Sequence, residues 1–127
     1  MITWIAKVSD RLEKLSQNSA IAVADEVRIP VQAGGHMPYV TGNLSRSLEA
    51  SLNELPIGDL NPTAENLLPE PRELIRSVVS TAKIGDNIYL GFRAAYAPEM
   101  EQKYGFVRLT AQIWPQIVDL ELAKLGP

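Results

Sequence analysis

The stretch Thr41-Gly42-Asn43-Leu44-Ser45-Arg46-Ser47-Leu48-Glu49-Ala50-Ser51-Leu52-Asn53 changes its periodicity part-way along. Thr41 offers a hydroxyl to the amides of a first helical turn, and Leu44 and Leu48 fall on one face of that short helix. From Leu48 the pattern becomes alternation. Leu48, Ala50 and Leu52 stand against Glu49, Ser51 and Asn53, as a half-buried strand requires. A second alternating run, Ile88-Tyr89-Leu90-Gly91-Phe92, follows the turn residues Gly85-Asp86-Asn87 and is the expected sheet partner of the first.

Helical spacing surrounds these two strands. Upstream, Trp4, Val8, Leu12, Leu15 and Ala22 form one row and Ile5, Val23 and Val27 an adjoining one, which predicts a long amphipathic helix from Trp4 to about Val27. Thr3 is its expected N-cap. Pro30 pushes Ile29 out of helical geometry and sets the stop. The helix is expected to pack on the protein's own core; the alternative is that part of its length packs on a neighbouring subunit. Residues 30–40, with Pro30, Gly34, Gly35 and Pro38, read as a loop. Leu74, Ile75, Val78, Val79 and Ala82 mark a second helix, with Pro71 near its first turn and Gly85 at its exit. The last helix is expected from Phe106 to Leu125, with a broad apolar stripe and a kink near 111–115, where Pro115 cannot donate to the Ala111 carbonyl. Gly126 and Pro127 form its C-terminal stop.

Between Pro56 and Pro71 four prolines accompany Gly58, Asp59, Asn61 and Asn66, a density that excludes continuous regular structure. The chain of 127 residues suits one domain, residues 1–127, with 56–71 as an extended loop or arm whose Leu67 and Leu68 are candidates for touching a partner. Apolar residues make up 46% and charged residues 21%, which predicts a folded chain rather than a disordered one. No cysteine is present, so disulfide and thiolate chemistry are excluded. The N-terminus lacks the pattern of an export signal, and no apolar run approaches the roughly 18 residues of a membrane span, so a soluble protein without membrane association is expected.

The residues of chemistry are sparse. His36, the one histidine, lies in a Gly-Gly-His-Met loop and has no second histidine or cysteine with which to build a zinc site. Glu99 and Glu101 read as a solvated acidic patch, and Gly34-Gly35 lacks the lysine and the preceding strand of a phosphate cradle. The expectation is a protein that is not an enzyme, with no catalytic, cofactor or metal residues. Net charge is −3, and Arg72, Arg76, Lys83, Arg93, Lys103 and Arg108 are scattered among acids, so strong or sequence-specific DNA binding is not expected.

Residues 41–48 resemble the Thr-Gly-x-Leu-x-x-Ser motif of the tail-completion or neck proteins of long-tailed phages, the family that includes lambda tail protein Z. Gly85 to Phe92, Ala95-Tyr96-Ala97 with Glu101, Tyr104-Gly105-Phe106-Val107, and Trp114 with Ile117-Val118 are similar to the variant found in prophages and gene transfer agents. The family's Tyr-Ala-x-x-x-Glu-x-Gly is altered here: Glu101 follows Tyr96-Ala97, and the next glycine is Gly105. The resemblance implies an α+β subunit, with long N-terminal and C-terminal helices on a small antiparallel sheet and a proline-rich extended loop. It implies a structural role in the virion neck: a homo-oligomeric ring, six-fold in the family, assembled in the bacterial host cytoplasm between neighbouring connector and tail proteins, with DNA passing through its lumen. Arg93, Tyr96, Glu101, Tyr104 and Arg108 are the polar candidates for subunit contacts; local structural roles suit them equally. A tail terminator or head-closure stopper of the same joint is an alternative, and a small DNA-binding regulator is an alternative of another class.

Overall fold

The computed structural model describes residues 2–126, with side chains from Asp10 onward, so the expected core positions Trp4, Ile5 and Val8 lie outside the described side chains, and Pro127 outside the described residues. The chain is α+β: among the described residues, six α-helices and a two-stranded antiparallel sheet. The first helix, α1 (Ile2–Val27), ends where Pro30 requires, but it begins one residue before Thr3, which stands inside the first turn instead of capping it. In the following loop Val31 N–H donates to the Met37 carbonyl and Met37 N–H to that of Ile29. This pairing drives Met37 fully into the core from a stretch that reads as a loop.

The short α2 (Asn43–Arg46) leads into β1 (Leu48–Leu52), and β1 pairs with β2 (Ile88–Phe92) in the register Leu48 to Phe92 and Leu52 to Ile88. Between them, α3 (Arg72–Val79) stops short of the expected Ala82. The hydroxyls of Ser80 and Thr81 donate to the carbonyls of Ser77 and Val78, which competes with another helical turn. Ala82 is buried all the same, because its N–H folds back onto the Val79 carbonyl.

The C-terminal region departs most from expectation. A helix absent from the sequence reading, α4 (Ala97–Tyr104), has Pro98 in its first turn and ends at Gly105 in left-handed geometry (φ 64°). The expected kinked helix is two helices, α5 (Phe106–Gln112) and α6 (Trp114–Leu125), separated at Ile113. Pro115 is the reason: it lacks the amide that continuation needs, yet suits the first turn of a new helix. Both helices pack against α1, and the separation lets them do so differently. Phe106 of α5 enters the core edge-to-face against Phe92 at 5.1 Å, whereas α6 packs along α1. The core joins Ala20, Ala24 and Val27 of α1 to Leu48 and Ala50 of β1 and Ile75 and Val79 of α3.

Candidate functional site

Residues 41–48 form a hub. Gly42 has φ 83°, and a Cβ there would come within 2.5 Å of the Arg46 guanidinium and 2.7 Å of the Tyr39 hydroxyl, so the turn excludes a side chain. Thr41 Oγ1 accepts the Asn43 N–H, as the sequence predicts, and the Thr41 carbonyl accepts Arg46 Nη2 at 2.7 Å. Asn43, 1% exposed, clamps the proline-rich segment with both ends of its amide: Nδ2 donates to the Thr63 carbonyl and Oδ1 accepts the Leu68 N–H. The carbonyl and hydroxyl of Ser45 both accept from Arg28 Nε, which ties the turn to the end of α1. Ser47 Oγ donates to the Leu44 carbonyl, while its own carbonyl accepts the Arg93 N–H beyond β2. The amide of Asn43 and the hydroxyls of Ser45 and Ser47 are all engaged within the chain, whereas the buried Arg46 Nε has no partner among the described residues.

The proline-rich segment has no helix or strand of its own. It is held to the body at Leu60, which exchanges backbone hydrogen bonds with Arg93 and Ala95, and by Asn43. Leu67 is 60% exposed, and Leu68 is half-buried with its N–H held by Asn43.

Among the polar interface candidates, Arg93 pairs with Asp59 at 2.6 Å and Glu49 at 3.2 Å and donates to the Ile57 carbonyl. The hydrogen bond that its guanidinium donates to Asp59 is the main cause that raises its pKa further. Glu101 accepts the N–H groups of Val107 and Arg108 on its two oxygens, closing the first turn of α5. Tyr96 is half-buried beside Pro38, Val40 and Met100, and burial pushes its phenol upward. Tyr104 and Arg108 are exposed on either side of Gly105, with the Arg108 guanidinium lying over that glycine. The candidates therefore split. Arg93 and Glu101 hold the fold, and Leu67, Tyr104 and Arg108 face outward. Asn43 and Arg28 were not singled out in the sequence, although Asn43 occupies the variable position of the Thr-Gly-x-Leu pattern; their partners lie too far along the chain for spacing to show.

His36 and Glu99 are exposed, and among the described residues no cluster of His, Asp or Glu is arranged to hold a metal ion. No helix in the described residues is long and apolar enough to cross a membrane.

A second feature lies on the opposite side of the sheet from Arg93. An apolar cavity of about 450 Å³ separates Leu90 and Phe92 from Val23 of α1, Val107 and Ala111 of α5, and Trp114. Val107 and Trp114 remain 46% and 44% exposed, so the cavity opens to solvent through apolar walls. Compared with known proteins, the chain matches no family model, no curated protein and no solved structure.

Proposed function

We propose that this chain is a structural subunit of the head-to-tail joint of a tailed phage or phage-like particle. In this reading it is a neck or tail-completion protein that forms a closed ring between connector and tail proteins and acts by assembly rather than catalysis. One observation carries the assembly part. The chain exposes 8200 Å², whereas a compact monomer of 14.0 kDa exposes about 6,700 Å². The excess of roughly 1,500 Å² fits a chain whose exposed apolar side chains, Leu67, Val107 and Trp114 among them, are left for a partner to cover.

The phage part rests on the motif resemblance. The hub at residues 41–48 supports it in a limited way: those residues do the fold-defining work that a shared motif would need, with no reactive group among them. The net charge of −3 suits a lumen wall past which DNA slides without being held. The test is to delete the coding sequence from the element that carries it and image the particles. Separate heads and tails, joined again on adding purified protein, are expected. Joined, infectious particles in the deletion would overturn the reading.

A further inference from the structure

The proline-rich segment is tied to the body without being part of its core. No residue from 53 to 70 is buried, and neither the core nor the half-buried apolar side chains packed against it include any of them. What holds the segment is polar. At its near end the Leu60 N–H donates to the Arg93 carbonyl, the Ala95 N–H donates to the Leu60 carbonyl, and the Arg93 guanidinium reaches the Ile57 carbonyl at 3.1 Å and Asp59 at 2.6 Å. At its far end the Asn43 amide holds the Thr63 carbonyl and the Leu68 N–H.

Beneath these anchors the packing is loose. One cavity of about 330 Å³ is walled by Gly58 of the segment and by Phe92, Ala94 and Phe106 of the body, and another of about 280 Å³ by Pro62-Thr63-Ala64 and by Leu44, Tyr96 and Met100. A segment that packs against voids gains little apolar burial from staying closed. Water replaces each of its hydrogen bonds when it lifts, so opening costs far less than unfolding the core.

The two ends are fixed. Pro56 packs on Gly91 of β2, and Glu70 pairs with Arg28 at 2.7 Å just before the buried Pro71 at the start of α3. Only Asn61 and Pro62 stand between the two sets of anchors, and the fixed φ of proline limits how far the chain bends there. Release at one end is therefore felt at the other.

We infer that residues 57–68 form a latched strap, which lifts from the body as one unit while the core beneath it stays folded. The latch is the Arg93 guanidinium at one end and the Asn43 amide at the other. Lifting exposes the apolar wall of Leu44, Tyr96 and Met100, which makes the strap the gate to that cavity. The device belongs to the single subunit and does not depend on the assembly reading.

Hydrogen exchange followed amide by amide tests this on the full-length parent protein. The Leu60 and Leu68 amides are both hydrogen-bonded, so each reports on opening. They should exchange at least about 100-fold faster than the paired amides of β1 and β2, at a rate that barely changes in low urea because little apolar surface is exposed. Asp59→Asn, at an exposed side chain, should speed exchange at Leu60 and Leu68 alike by about threefold to fivefold and leave the sheet amides unchanged. Exchange of Leu60 and Leu68 only at the rate and urea dependence of the sheet would overturn the separate strap. Acceleration confined to Leu60 would overturn its lifting as one unit.

Discussion

The polar turn at residues 41–48 and the apolar cavity beside β2 differ in how far the chain itself completes them. In the turn, Asn43, Ser45 and Ser47 find their partners inside the chain, and the Leu44 side chain is buried. Along β2 the backbone groups of Ile88, Leu90 and Phe92 are left without partners among the described residues, and the apolar walls at Val107 and Trp114 stay half in solvent. One region is completed by its own sequence. The other has the composition of a core and the accessibility of a surface, as a subunit interface does.

The two regions should respond differently to substitution. The largest loss is expected from Phe106→Ala, which empties the contact with Phe92 beside the cavity and should cost about 3–5 kcal/mol in urea unfolding. Asn43→Ala removes both hydrogen bonds that hold the proline-rich segment and should cost about 2–3 kcal/mol, with faster proteolysis between residues 60 and 71. If that variant unfolds like the parent, the hub is less central than its bonding suggests. Gly42→Ala forces a side chain into left-handed geometry against Arg46 and Tyr39 and should cost about 1–2 kcal/mol. Trp114→Ala sharpens the contrast: the half-exposed ring should matter less than about 1 kcal/mol to the folded subunit, yet its loss should impair ring formation.

The smallest effect concerns acid. The Asp86 carboxylate accepts the Lys83 N–H and a hydrogen bond from Asn53, which hold its pKa below the ordinary 3.8. A pKa lowered by folding adds stability above the unfolded value and loses it as pH falls through the folded one. Asp86→Asn should therefore lower the urea midpoint slightly near pH 7 and flatten its fall below about pH 4, so that variant and parent converge in acid.

Much of the fold was legible because it follows from local rules. Pro30 fixed the end of α1, and the alternations at 48–52 and 88–92 identified the sheet pair. Where the reading failed, the cause was also physical. α4 carries helix signals in Pro98 and Gly105, but Ala97, Met100 and Tyr104 make too thin an apolar stripe to stand out over eight residues. Pro115 signalled an interruption, but spacing alone does not tell a kink from a break into two helices. The site was less legible than the fold. The Asn43 clamp spans 20 and 25 residues, and the open edge of β2 is defined by what fails to pair with it.

The central claim is that this subunit is finished by copies of itself. It is tested most directly by the absolute mass of the purified protein over a wide concentration range, alone and with isolated portal and tail complexes. A closed ring, six-fold on the family resemblance, is the predicted result, formed freely or on those complexes. A monomer at every concentration that binds neither complex would contradict it.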